Sequence, residues 1–404
     1  MPWRRPKKVE QRAGSPRSSP EERLELANEG EEERDSVELA RLDGASIVEA
    51  ATGEPERDER GPSIDIDRER LADAQVMTTA ITDLPERGID LEVEAARGLR
   101  LKNPVLTASG TFGQGLEYAE IIDVSRLGAI ASKGTTRNPR PGNPQYRIAE
   151  TPAGILNSIG LENPGAEEVA RIYGPKWAKL RVPVIVNVAG YSVDDYVFVV
   201  GTLAHTPGVV AFELNISCPN VEGGLLFGQD PVLAAEVTRA VRETTDMPVI
   251  VKLTPNAPDV VAVARAVEEA GADGLTAINT VLGMRIDIAK RRPILGTGSG
   301  GLSGPAIRPI AVHITYQVAQ AVSIPIIGAG GVTSANDALE FLMAGASAVQ
   351  VGTATFADPI APIRVVEGLA AYVKERGLGS IREIIGAALP SHHPARAMED
   401  PPDA

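Results

Sequence analysis

The chain has one cysteine, Cys218, among 404 residues, and only four histidines. One thiol rules out an intrachain disulfide. It also rules out an iron–sulfur cluster held by this chain alone, which takes about four ligands. The histidines are poorly placed for a catalytic base. His205 precedes a strand, His313 falls mid-helix, and His392 and His393 lie near the C-terminus. No His/Cys/Glu spacing suggests zinc, and no Gly-x-Ser-x-Gly elbow stands where a hydrolase needs one. Positive charge is short as well: the net charge of −14 argues against a nucleic-acid groove or a polybasic membrane patch. No apolar run approaches the roughly 20 residues of a membrane span. The Arg4-Arg5 pair is not followed by an apolar region, so no export signal is read and a cytoplasmic location is expected.

What is present divides sharply. Residues 1–86 are rich in Glu, Asp, Arg, Ser and Pro, with a basic patch (Arg4, Arg5, Lys7, Lys8) ahead of an acidic run (Glu31, Glu32, Glu33, Asp35). Such a composition buries too little apolar surface to order itself, so a solvated, disordered extension is expected. Residues 390–404 read as a disordered tail. Between them, residues 87–389 read as one α/β domain. Residues 91–93 and 99–101 suggest a hairpin capping the bottom of a barrel. Eight apolar, β-branched-rich runs follow, at 104–108, 129–133, 182–188, 209–217, 248–253, 274–279, 324–328 and 348–352. Helical patterns separate most of them. One carries Val232, Leu233, Val237 and Val241 on a face, and another Val260, Val263, Ala264 and Val267. Asp259 and Ser334 are expected N-caps, and Gly271 and Gly345 follow last turns. Ala-Gly-Ala-Asp-Gly (270–274) is echoed by Ala-Gly-Ala-Ser-Ala (344–348), two helix-to-strand joints of a repeated β-α unit. A doubly wound open sheet shares this alternation. Eight strands with polar residues at nearly every strand end favour a closed (β/α)8 TIM barrel.

In a barrel the strand C-termini converge on one mouth. Ser109-Gly110, Lys133-Gly134, Asn187, Asn215 with Cys218, Lys252, Asn279-Thr280, Gly330-Gly331 and Gly352-Thr353 all stand at or just past those ends. The last two pairs occupy the usual phosphate position, where glycine lets backbone N–H groups approach an anion. Gly298, Gly300, Gly301 and Gly304 suggest a third glycine-rich approach before a helix. Lys252 ends an apolar strand, so its ammonium needs a partner: a structural salt bridge, or the N1/O2 edge of a flavin whose reduced ring it would stabilise. Asn157, Asn215 and Asn279 donate and accept, which suits a small ring of alternating carbonyl and N–H groups. Cys218 follows Asn215 and Ser217, which share a strand face. It sits in a polar loop with Pro219, Gly223, Gly224 and Gly228, read as a movable lid, and a chemical role for the thiol is expected.

The motifs Asn-Ile-Ser-Cys-Pro-Asn-Val-Glu-Gly-Gly (215–224), Asn-Ser-Ile-Gly-Leu-Glu-Asn-Pro-Gly (157–165), Val-Lys-Leu-Thr-Pro-Asn (251–256) and Gly-Gly-Leu-Ser-Gly-Pro-Ala (300–306) resemble class 1 dihydroorotate dehydrogenases, and most of all the class 1B catalytic subunit. The resemblance covers roughly residues 91–389, and the N-terminal extension departs from it. It implies oxidation of dihydroorotate to orotate on FMN in pyrimidine synthesis, with Cys218 as the base that removes the C5 proton. It places flavin contacts at Ser109, Lys133, Gly134, Asn187, Asn215, Lys252, Ile278, Gly304, Gly330, Gly331, Gly352 and Thr353. Substrate contacts fall at Lys133, Asn157, Ser158, Ile159, Gly160, Leu161, Asn215, Asn279 and Thr280. Cysteine at 218 and the lack of an amphipathic membrane helix argue against class 2. The resemblance further implies a homodimer within a heterotetramer, whose partner subunit carries FAD and an iron–sulfur cluster and passes electrons to NAD. Alternatives are a class 1A-like enzyme using fumarate directly, a non-redox lyase or isomerase holding a phosphorylated substrate, and a flavin barrel acting on pyrimidines or tRNA uridines.

Met77 opens the stretch that leads into the folded-looking sequence and is expected to be the biological start. Mass spectrometry of protein from the native host should yield no peptide from upstream of it; an intact upstream peptide overturns the expectation.

Overall fold

The computed structural model describes residues 89–217 and 227–392. The extension 1–86, Met77, Cys218, Pro219, Gly223, Gly224 and His393 lie outside the described residues. The eight expected runs form eight strands: β1 (Val105–Thr107), β2 (Ala129–Ala131), β3 (Val184–Val188), β4 (Val209–Asn215), β5 (Val249–Leu253), β6 (Gly274–Ala277), β7 (Ile326–Ala329) and β8 (Ala348–Val351). They close into one parallel barrel in chain order, and β8 returns to β1 with Val349 opposite Val105. Parallel strands covered on both faces need continuous apolar runs. Accordingly every residue of β3 and β5 is buried, including the polar Asn187 and Lys252.

The helices α1 (Leu116–Ala119), α2 (Ala166–Trp177), α3 (Val193–Leu203), α4 (Pro231–Arg242), α5 (Val260–Glu269), α6 (Arg308–Ala319), α7 (Ala335–Met343) and α8 (Ala361–Glu375) alternate with the strands. The expected caps are in place. The Asp259 carboxylate accepts from Ala262 N, and Ser334 forms a reciprocal capping box with Asp337. Gly271 and Gly345 end α5 and α7 with φ of +98° and +107°, a conformation that a side chain strains. One face was misassigned. α4 buries Ala234, Val237, Thr238 and Val241, whereas Val232 is 74% exposed. Five residues before Val237, at about 100° per residue, Val232 points well off that stripe.

The N-terminal hairpin pairs Val93–Ala96 with Leu99–Leu101. Its first strand begins two residues later than expected, because Ala95 and Ala96 are fully buried against the barrel. Arg97 N donates to the Asp273 carbonyl just before β6, so the hairpin closes the N-terminal end, as expected.

A second sheet was not anticipated. Four antiparallel strands, in the order Val281–Gly283, Gly300–Ser303, Gly154–Asn157 and Ile148–Thr151, form from two excursions, one after β2 and one after β6. Each excursion runs far past the usual 2–6 residues of a β-to-α connection, which is the signal that could have revealed it. Gly300 and Gly301 belong to this sheet and not to an anion cradle. A Cβ on Gly300 would lie 2.5 Å from the Asn157 carbonyl, and one on Gly301 would lie 2.1 Å from Thr280 Oγ1. Glycine is needed there for close strand approach.

Phe341, fully buried on α7, presses its ring onto β7, where a Cβ on Gly328 would come within 2.4 Å of it. Phe341→Ala is expected to lower stability by about 3–5 kcal/mol in chemical denaturation. Val232→Ala should stay within about 0.5 kcal/mol of the parent.

Candidate active site

The mouth of the barrel is built from the strand C-termini, and its floor is a buried polar cluster. Glu213 on β4 is 0% exposed and faces inward. One carboxylate oxygen accepts from Asn187 Nδ2 on β3 at 2.7 Å and is paired with Lys252 Nζ on β5 at 3.4 Å. The other accepts from Thr276 Oγ1 on β6 at 2.8 Å and from Gln350 Nε2 on β8 at 2.6 Å. Gln350 Oε1 in turn accepts from Lys252 Nζ at 3.0 Å. Five strands thus meet on one carboxylate. Burial alone would raise the Glu213 carboxyl, but the Lys252 ammonium and the donated bonds from Thr276, Gln350 and Asn187 outweigh it and hold it below the usual carboxylate range.

Sequence reasoning found Lys252 and Asn187 but missed Glu213, Thr276 and Gln350. A signal existed. Glu213 sits two residues before Asn215, on the strand face that points into the barrel, inside an otherwise apolar run. A charged residue there must have a partner. Both readings of Lys252 meet in the structure: it is in a buried salt bridge, and it stands on the strand end that faces the mouth.

Above this floor the expected polar groups converge. The Asn215 side-chain oxygen accepts from Asn279 Nδ2 at 3.1 Å and from Ser217 N at 3.3 Å, so its amide nitrogen is turned elsewhere. The buried Tyr196 on α3 donates its hydroxyl to the Asn215 carbonyl at 2.8 Å and meets Phe227 edge-on, ring centroids 5.9 Å apart. Gly228 N donates to the Ile216 carbonyl at 2.8 Å. Residues 216 and 228 therefore stand side by side, on either side of the stretch that contains Cys218. Gly228 itself is buried in a 3-10 turn, so it is not part of a free loop.

The predicted substrate segment runs from Asn157 to Leu161 along the second sheet and past its end. Asn157 Nδ2 donates to the Gly301 carbonyl at 3.1 Å. The Ser158 and Ile159 backbones are pinned by Arg147 and Asn143. Gly160 and Leu161 both have positive φ, which turns the chain back beside Gly134: a Cβ on Gly134 would lie 3.3 Å from Leu161 Cδ2 and 3.0 Å from Asn187 Oδ1. Ser158 Oγ and Asn187 Oδ1 are buried and have no hydrogen-bond partner among the described residues. Lys133, half-buried beside Gly134, has no ion pair among the described residues.

Further along the same strand pair, Thr353 Oγ1 donates to Ser303 Oγ at 2.8 Å, and Gly304 lies against Gly154 and Thr353. Gly330 and Gly331 have φ of +134° and +77°. Among the described residues, none accepts from the backbone N–H groups of Gly330, Gly331, Gly352 or Thr353. Ile278 is buried beside β7, with its N–H on the Ala329 carbonyl. Ser109 and Gly110 end β1, half-buried to exposed.

These residues fit FMN. A phosphate suits the free N–H groups after β7 and β8. A flat ring with N–H and carbonyl edges suits the unpaired Asn187 oxygen across from side-chain-free Gly134, and the Lys252 ammonium. No groups of three or more His, Cys, Asp or Glu able to hold a metal occur among the described residues.

Fold and site together define a (β/α)8 barrel enzyme with a phosphate-ready rim and an amide-lined polar pocket. The family profile described as Dihydroorotate dehydrogenase matches residues 91–373. The chain is 54% identical over 291 residues to the dihydroorotate dehydrogenase B (NAD(+)) catalytic subunit of Desulforamulus reducens, covering 72% of this chain and 96% of that one. It is 55% identical over 290 residues to the subunit of the same name from Geobacillus kaustophilus, covering 72% and 93%. For that of Geotalea uraniireducens the figures are 51% over 301 residues, 74% and 98%. The chain belongs to the dihydroorotate dehydrogenase family.

Because the folded-state carboxyl of Glu213 is depressed, the stability it contributes is fully present above the unfolded value of about 4.3 and is lost as pH falls through the lower folded value. In Lys252→Met, burial raises that carboxyl instead, and stability then falls as pH rises past about 4.3. Thermal melts from pH 4 to 8 should show the variant losing ground to the parent as pH increases, by about 3–5 kcal/mol at neutrality.

Proposed function

We propose that the chain oxidises dihydroorotate to orotate on bound FMN, in pyrimidine synthesis, as the catalytic subunit of an NAD-linked enzyme. The observation that carries this reading is the meeting, in a chain matching the family over residues 91–373, of the Lys252 ammonium, the unpaired Asn187 oxygen and the Asn215–Asn279 amide pair at one barrel mouth. FMN, when bound, supplies the hydride acceptor. Ser109, Lys133, Gly134, Asn187, Asn215, Lys252 and Ile278 hold its ring side, and Gly304, Gly330, Gly331, Gly352 and Thr353 its phosphate side.

The chain's own groups bind and orient the substrate. Asn157, Asn215 and Asn279 match its alternating carbonyl and N–H groups, and Lys133 neutralises its carboxylate. Ser158 Oγ, Ile159, Gly160, Leu161 and Thr280 complete the wall. Cys218 takes the C5 proton as thiolate. The adjoining Asn215–Ser217 segment, tied down by Tyr196 and Gly228, supports that role by anchoring the chain three residues away.

The single cysteine cannot hold an iron–sulfur cluster, and the relatives are named catalytic subunits of an NAD(+) enzyme; both support a route for the electrons through another subunit. We place an FAD and iron–sulfur partner beside the catalytic chain, in a heterotetramer built on a homodimer, in the cytoplasm. Among the described residues no helix is long and apolar enough to cross a membrane.

The purified chain should carry a flavin spectrum that bleaches on anaerobic addition of dihydroorotate; a colourless protein would point to a non-redox phosphate-binding barrel. Alone, it should reduce NAD poorly, and vigorous NAD reduction contradicts the partner. Efficient turnover with fumarate would mark direct use of a soluble acceptor.

A free thiol ionises near pH 8.5, so activity should rise with pH as the thiolate forms. Cys218→Ser should still bind orotate, but turn over about 10²–10⁴-fold more slowly near neutral pH. Near-normal turnover in that variant refutes Cys218 as the base.

A further inference from the structure

We propose that Glu213 is the positioning residue of this site: its buried carboxylate fixes the Lys252 ammonium and the donor–acceptor sense of Asn187 and Gln350, and its negative charge sets how strongly the pocket favours reduced over oxidised flavin. The inference rests on the FMN reading above. Neither Glu213 nor its partners Thr276 and Gln350 belongs to the groups placed against flavin or substrate.

The geometry supports each part. An amide can be turned either way unless a neighbour decides. A carboxylate accepts only, so Asn187 must present Nδ2 to Glu213 and send Oδ1 the other way, and that oxygen is a buried acceptor without a partner among the described residues. The same logic turns Gln350: Nε2 faces Glu213, and Oε1 is left to accept from Lys252. Lys252 is then held by two acceptors, with one of its three N–H bonds still to give. The charge effect follows from burial. Lys252 and Glu213 are both almost wholly removed from water, where opposite charges are weakly screened. Reduction adds negative charge to the flavin. A lone ammonium would favour that strongly, and a carboxylate on the same ammonium tempers it.

The test is the two-electron midpoint potential of FMN in the parent, Glu213→Gln and Glu213→Asp holoproteins, with the visible flavin spectrum recorded alongside. Gln keeps the shape and removes the charge; Asp keeps the charge and shortens the reach. The expected result for Gln is a potential raised by at least about 30 mV, a tenfold shift toward the reduced form, and a changed flavin spectrum as Asn187 loses its fixed orientation. Asp should stay closer to the parent potential than Gln. A purely packing role predicts the reverse, with Gln silent and Asp disturbed, and that result overturns the proposal. Should Glu213→Gln fail to fold, Lys252→Met is compared with Lys252→Met/Glu213→Gln, which leaves no buried charge in the pair. Lys252 is absent from both, so the comparison isolates Glu213: the double variant should have the higher potential, and equal potentials at every pH from about 6 to 9 overturn the proposal. A parent chain without FMN removes the functional reading itself, and the proposal with it. FMN bound at an unchanged potential in Glu213→Gln removes the proposal alone.

Discussion

One ion pair in the barrel interior organises the catalytic end of this molecule. A carboxylate with no solvent access is tolerable only with its negative charge matched and its lone pairs filled. Glu213 meets both conditions by drawing on β3, β5, β6 and β8 at once. The demand is structural, yet its result is chemical. Side chains committed to Glu213 on one side have a prescribed polarity on the other, and that other side is the pocket. The barrel thus converts a burial problem into an oriented set of donors and acceptors, with an ammonium among them.

The rim solves a different problem by different means. After β7 the chain uses glycines at positive φ, and after both β7 and β8 it leaves N–H groups without acceptors among the described residues. Unpaired backbone donors near a surface are acceptable where a strong acceptor or water takes them. The floor is charged and rigid through side chains; the rim is neutral and built of backbone. A phosphorylated, flat cofactor asks for that combination.

Much of this is legible in the sequence. Eight β-branched runs separated by capped amphipathic stretches have few topological solutions, and the polar residues at their ends could meet only at one mouth. Asn215 and Asn279, read with Asn157 as amides suited to one small ring, are bonded to each other. What escaped reading has physical reasons. Glu213 looks like an ordinary strand acid until its four donors, none of them neighbours in sequence, are seen around it. Val232 was assigned to the wrong face because it stands in the first turn beside Leu233, about 140° around the helix from Val237. The glycines at 300 and 301 resemble an anion loop, but they serve close approach of two strands. Pairing of distant segments leaves little local pattern, so the second sheet showed only as two overlong connections.

That sheet carries a consequence for how the protein comes into being. Asn157 and its neighbours take their register from Gly300–Ser303, about 145 residues further along the chain. A ribosome that has delivered the first five strands has therefore produced an open barrel whose substrate wall is paired with Ile148–Thr151 on one side and lacks its neighbour on the other. Competence arrives late and all together, so a truncated product stopping short of that strand would be inert, and no partly made chain can begin turning over before the rest has emerged.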